Sequence, residues 1–138
     1  MPGDMGSIKY SLREPFDLAV ETVCRSLRSR GLEVAGQLDV SRRVERALGI
    51  VLPPCRIVFV LPNPSKSSTG NIHPWAAIFL PLHIVISGDD AQTEIQVQNR
   101  VQAGHAAAAT TLFQPVMETQ AQISEAIDAI ATRPSMLV

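Results

Sequence analysis

The stretch Leu82-His83-Ile84-Val85-Ile86-Ser87 is almost wholly apolar, and it is followed by Gly88-Asp89-Asp90 and then by Thr93-Glu94-Ile95-Gln96-Val97-Gln98. Glycine and aspartate favour tight turns. The alternation of polar and apolar residues in the last segment is typical of a strand that has one face in water. Together the three segments predict a β-hairpin, whose strands are antiparallel. This hairpin favours a largely antiparallel sheet for the whole domain.

The segments around the hairpin supply three more strands and the helices. The predicted strands are Ile8–Leu12, Leu32–Leu38 and Ile57–Leu61. The predicted helices run from Pro15 to Arg30, from Asp39 or Ser41 to Leu48, from Pro74 over a short stretch, and from Pro115 to Thr132. Apolar residues recur at spacings of three and four in the longer helices, which predicts one buried face on each; in the second helix this face comprises Val40, Val44, Ala47 and Leu48.

The fold class predicted by this order is α+β, with two layers. A mostly antiparallel sheet of about five strands forms one layer, and the helices pack on one face of it. The unbroken apolar run Ile57–Leu61 indicates a central strand covered on both faces, or on one face plus a partner. We expect one domain over residues 1–138, because this length suits a single core.

Composition predicts the compartment. The chain has 138 residues, 46% of them apolar, and a formal net charge of −1. No apolar run approaches the ~18 residues that a membrane span needs, and residues 1–12 lack the pattern of a secretory signal. We therefore expect a cytoplasmic protein without a membrane partner, in which Cys24 and Cys55 are reduced thiols. Cys24 lies in the apolar stripe of the first helix and is predicted to be a packed core residue.

Arginines cluster around the second helix, at Arg42, Arg43 and Arg46. Three closely spaced arginines in a chain of negative net charge are more typical of a solvated helix face than of a phosphate-binding patch. We therefore predict no nucleic-acid partner.

The order of several short motifs resembles the prokaryotic family known as domain of unknown function 302. The resemblance covers about residues 8–130 and rests on five features: Phe16-Asp17-x-Ala19-Val20, Gly31-Leu32-x-Val34, Leu38-Asp39-Val40, Asn63-Pro64 and Leu80-Pro81-Leu82. Pro62 and Leu82 depart from the glycine and cysteine that the family often has at these positions. The resemblance implies a compact α+β domain, generally a homodimer, with no established reaction.

The region from Asn63 to His83 is the predicted functional surface. It combines a polar loop, the start of a short helix, the only tryptophan and two of the three histidines. Trp75 and Phe79 are four residues apart and share one face of the short helix. Their rings line a ligand pocket, or they belong to the core or to a dimer contact. The candidate ligand-binding residues are Asn63, Lys66, His73, Trp75, Phe79, Pro81 and His83.

Catalytic and metal sites have weaker signals. His73, His83 and His105 match no compact ligand spacing, so we predict no metal and no cofactor. Cys55, near two prolines, is the candidate for an alternative function, a small enzyme or redox sensor that pairs this thiol with a histidine. The preferred interpretation is a homodimeric, non-enzymatic binding or interaction protein with a small-ligand pocket around residues 63–83.

Overall fold

A computed structural model describes residues 7–62, 81–89, 91–98 and 110–133. The described strands are β1 (Ser7–Leu12), β2 (Glu33–Asp39), β3 (Cys55–Leu61), β4 (Leu82–Gly88) and β5 (Thr93–Gln98). The described helices are α1 (Phe16–Ser29), α2 (Val40–Leu48) and α3 (Thr110–Asp128). The short helix predicted from Pro74 and the loop before it lie outside the described residues.

The five strands form one antiparallel sheet in the order β1-β5-β4-β3-β2. The predicted hairpin is confirmed, since β4 pairs with β5 and Ile86 lies opposite Ile95. β4 lies at the centre of the sheet, between β5 and β3. The predicted α+β class with a mostly antiparallel sheet is therefore confirmed.

One face of the sheet carries the core. Residues at alternate strand positions, such as Val58, Ile84 and Ile95, are fully buried there, as the twofold periodicity of strands requires. Val23 and Leu27 of α1 and Ile123 and Ile127 of α3 belong to the same buried cluster. These two helices therefore cover one face of the sheet, which we call the core face.

The first helix begins and ends close to the predicted residues. Pro15 has extended backbone angles at the N-cap, and Phe16 is the first helical residue. Gly31, just beyond the end, has a φ of 83°, a conformation that glycine adopts without steric cost. The backbone N–H of Gly31 donates to the carbonyl of Arg28 and so closes the last turn.

The second helix has the predicted caps and lacks the predicted buried face. Asp39 is its N-cap and accepts a hydrogen bond from the backbone N–H of Arg42 at 2.9 Å, and Gly49 has a φ of 71°. None of its residues is buried. The prediction that Leu48 lies on a buried face is wrong: α2 sits beside β3 near the edge of the sheet, and Leu48 is 68% exposed.

The third helix begins five residues before Pro115, so the predicted start there is wrong. Proline is favoured in the first turn of a helix, but its fixed φ angle is compatible with a helix, so its position does not by itself mark the first residue. The helix ends at Asp128, and the chain then turns back to β1. There Ser11 and Thr132 exchange two backbone hydrogen bonds of 2.7 and 2.9 Å, which cover part of the outer edge of β1.

Candidate functional site

The face of the sheet opposite α1 and α3, here called the open face, carries the side chains with functional potential. Strand register places the residues of this face in rows across the sheet. One row contains Ser11, Glu94, Ser87 and Cys55, and the next contains Lys9, Gln96, Val85, Ile57 and Leu38. The face changes from polar on β1 and β5 to apolar on β3.

His83 and Pro81 are the predicted site residues that the structure describes. His83 lies on the open face, half-buried, opposite Phe59 of β3. The two ring centroids are 6.4 Å apart, and the rings are tilted by 56°, which is within the range of favourable ring contacts. Pro81 is exposed at the start of β4. Asn63, Lys66, His73, Trp75 and Phe79 lie outside the described residues.

A cavity of ≈ 720 Å³ lies at the other end of the open face. Its wall includes the row Ser11, Glu94, Ser87 and Cys55, and Lys9 from the neighbouring row. The segment before β3 contributes Leu52 and Pro53. This segment is held against the hairpin because the backbone N–H of Gly88 donates to the carbonyl of Pro54 at 3.2 Å. The volume falls within the range of small-molecule sites.

The two cysteines are free thiols on opposite faces of the sheet. Burial raises the pKa of the Cys55 thiol, and the nearby carboxylate of Asp39 raises it further. Burial also raises the pKa of Cys24, against the opposing effect of Arg28 and Arg56. The thiolate is the reactive form, and both shifts disfavour it. Cys24 is buried in the core, where the sequence places it.

Arg56 links β3 to the starts of α1 and α2. Its guanidinium lies 5.6 Å from the centre of the Phe16 ring. It also lies 3.7 Å from the carboxylate of Asp39 and donates to the side-chain oxygen of Gln37 at 3.3 Å. These three contacts hold the N-terminus of α2 beside the sheet, so Arg56 has a structural role.

An exposed apolar segment follows α2 and is the second candidate surface. The exposed fractions are 68% for Leu48, 51% for Ile50, 77% for Val51 and 38% for Leu52. Four large hydrophobic side chains so close together are more than the scattered apolar residues of an ordinary surface. We call residues 48–52 the apolar segment.

Sequence reasoning missed both surfaces, for different reasons. Lys9 and Glu94 are distant in sequence, and only the pairing of β1 with β5 brings them together. The predicted second helix ends at Leu48 and the next predicted strand begins at Ile57, so the sequence analysis assigns Ile50, Val51 and Leu52 to no element. The signal was present, because Ile50, Val51 and Leu52 follow the helix-ending Gly49 directly.

The described residues contain no group of three or more His, Cys, Asp or Glu side chains placed to hold a metal ion. Among the helices of the same residues, none has the length and hydropathy of a membrane span.

An open antiparallel five-stranded sheet with three helices among the described residues, whose open face carries a cavity and a ring pair, defines an α+β domain. The sequence profile described as "Domain of unknown function DUF302" matches residues 8–130. The chain belongs to this family, as its resemblance predicted.

A solved structure supports the fold. The chain is similar to the crystal structure of an uncharacterized conserved protein DUF302 from Bacillus stearothermophilus, with a TM-score of 0.75 and 18% sequence identity. The similarity covers 91% of this chain and 98% of the other. No curated protein matches.

Proposed function

We propose that this domain is a non-enzymatic binding protein that pairs with a second copy of itself through the apolar segment. The observation that carries this proposal is the exposure of Leu48, Ile50, Val51 and Leu52. Transferring such side chains out of water stabilises an interface by about 25 cal/mol per Å² of buried apolar surface. The resemblance to the family also implies a homodimer.

A second copy suits this surface because a twofold contact brings identical patches together. An apolar patch is complementary to itself without any charge pattern. Around it, α2 carries Glu45 among Arg42, Arg43 and Arg46. Each copy therefore brings a surplus of positive charge, and antiparallel packing of two α2 helices must set each Glu45 carboxylate against the arginines of the other copy to offset their repulsion. A stable interface buries about 800 Å² per partner, so the outer face of α2 must contribute along with the four apolar side chains.

The subunit count tests the pairing. We expect light scattering after gel filtration to report a dimer for the wild-type chain and a monomer for Val51→Lys. Leu18→Lys is the matched control, since Leu18 is an exposed leucine (45%) that belongs to α1 and not to residues 48–52, and this variant should remain dimeric. A monomeric wild-type chain at about 100 μM, a concentration that populates interfaces of micromolar affinity, overturns the proposal. A dimeric Val51→Lys variant assigns the pairing to another surface.

The same proposal places a small-ligand site between Asn63 and His83. The contact between Phe59 and His83 supports it, because this ring pair gives the open face an aromatic floor at that end. We expect Trp75→Ala to weaken ligand binding or pairing more than it lowers the melting temperature. A variant that only melts earlier, and remains dimeric with its ligand bound, makes Trp75 a core residue.

Binding is first detected by native mass spectrometry of gently purified protein, which reports the subunit count and any retained small mass together. A dimer with an extra small mass supports both parts of the proposal. A clean dimer supports the pairing and counts against a tightly held ligand.

A further inference from the structure

The cavity at the Cys55 end of the open face has a charge arrangement that indicates its ligand. Lys9, Glu94 and Asp89 line it. The Asp89 carboxylate accepts from the backbone N–H groups of Ala91 and Gln92, whereas neither Lys9 nor Glu94 forms an ion pair with another residue in the part of the chain that the structure describes. Lys9 lies opposite Gln96, and Glu94 lies opposite Ser11. Lys9 and Glu94 are therefore diagonal neighbours on adjacent strands, about 7–8 Å apart at their backbones.

Charges of opposite sign at this separation are complementary to a small molecule that carries both signs itself. A carboxylate between the two strands accepts hydrogen bonds from the ammonium of Lys9. An ammonium beside it donates to the carboxylate of Glu94 and to the hydroxyl of Ser87, the neighbour of Glu94 on β4. Hydrogen bonds to charged groups are stronger than those between neutral groups, which favours a ligand that makes both contacts.

The apolar part of the cavity wall favours an apolar substituent on the ligand. Leu52 and Pro53 form an apolar side of the same cavity, and the volume of ≈ 720 Å³ leaves room for more than the two charged groups. An apolar substituent on the ligand lies against this side and removes part of Leu52 from water.

We propose that this cavity binds an α-amino acid with an apolar side chain, whose carboxylate contacts Lys9, whose ammonium contacts Glu94 and whose side chain packs on Leu52 and Pro53. This site is distinct from the one proposed between Asn63 and His83. It shares Leu52 with the apolar segment, but its charged contacts, Lys9 and Glu94, lie outside that segment.

Calorimetric titration of the full chain with L-leucine tests the proposal. We expect saturable binding, with at least about tenfold weaker affinity for 4-methylpentanoate, which lacks the ammonium, and for 3-methylbutylamine, which lacks the carboxylate; tenfold corresponds to about 1.4 kcal/mol, the lower limit for one charged hydrogen bond. Glycine, which lacks the apolar side chain, should bind more weakly too. Absence of saturable binding by L-leucine overturns the proposal, and so does equal binding of either analogue.

Variants locate the site. Lys9→Met and Glu94→Gln should each weaken leucine binding at least about tenfold, while their melting temperatures stay close to that of the wild type because both residues are exposed. Glu33→Gln is the matched control. Glu33 is exposed at the first residue of β2 and does not line the cavity, so this variant should bind leucine normally. Undiminished binding by both cavity variants refutes this site. Val51→Lys should change the subunit count and leave leucine affinity intact, so the two proposals fail separately.

Discussion

The two faces of the sheet are made by the same strands and have different chemistry. On the core face, β4 contributes Leu82, Ile84 and Ile86, all buried. On the open face, the same strand contributes His83, Val85 and Ser87, all half-buried. The core face is largely apolar on β1, β5 and β4 and specifies the fold, with Arg56 and Asp39 at its β3–β2 margin, whereas the open face changes from polar on β1 to apolar on β3.

The contrast is sharpest between adjacent residues of β4. We expect Ile84→Ala to lower the free energy of unfolding by about 2–5 kcal/mol, because Ile84 is fully buried and its truncation leaves a cavity. Val85→Ala, one residue further on and facing the other way, should cost less than about 1.5 kcal/mol, since partly exposed side chains lose less on truncation. Urea denaturation monitored by circular dichroism measures both. Equal losses would mean that the open face is packed as tightly as the core.

Two glycines extend the comparison to the backbone. A Cβ atom at Gly88 would lie 2.6 Å from the carbonyl oxygen of Gln92 and 2.7 Å from the Cα of Thr93, whereas one at Gly36 meets nothing within 4 Å. Gly88→Ala should therefore destabilise the protein by about 1–3 kcal/mol, because the hairpin has to shift.

Gly36→Ala is the control for this substitution. It should be neutral or stabilising by up to about 1 kcal/mol, because alanine restricts the unfolded chain. Thermal melting distinguishes the two variants. A Gly88→Ala variant as stable as Gly36→Ala would show that the turn after β4 adapts freely.

The core face could be read from the sequence, and most of the open face could not. The alternation in Thr93–Gln98 and the spacing of apolar residues in α1 follow directly from strand and helix geometry. The strand that pairs with β1 depends on the strand order, which the sequence pattern leaves open. The proximity of Lys9 to Glu94 could therefore not be predicted. The exposure of Leu48 was also missed, because periodicity reports which residues share a helix face and not whether a second layer covers it.

The reaction rates of the two cysteine thiols compare the accessibility of the two faces. We expect Cys55, on the open face, to react with a disulfide reagent at neutral pH more slowly than a free thiol does, because burial and Asp39 raise its pKa. Cys24, on the core face, should react only when the protein unfolds, since it is 4% exposed. The single-cysteine variants Cys24→Ala and Cys55→Ala allow each rate to be measured alone. A Cys55 that reacts faster than a free thiol would support the alternative function as a redox sensor.

The N-cap of α2 gives the smallest expected effect. Hydrogen bonds from the backbone N–H of Arg42 and from the hydroxyl of Ser41 hold the pKa of Asp39 below its ordinary value. A carboxyl whose pKa is lower in the folded than in the unfolded chain adds stability above its unfolded pKa of about 3.9 and loses it as the pH falls through the folded value. Asp39→Asn keeps a capping side chain and removes this titration, so its melting temperature should fall less steeply than that of the wild type below about pH 4. Identical slopes would mean that the charge of Asp39 contributes nothing to the fold and that neutral contacts, such as the hydrogen bond from the backbone N–H of Cys55 to the hydroxyl of Ser41, hold α2 to the sheet.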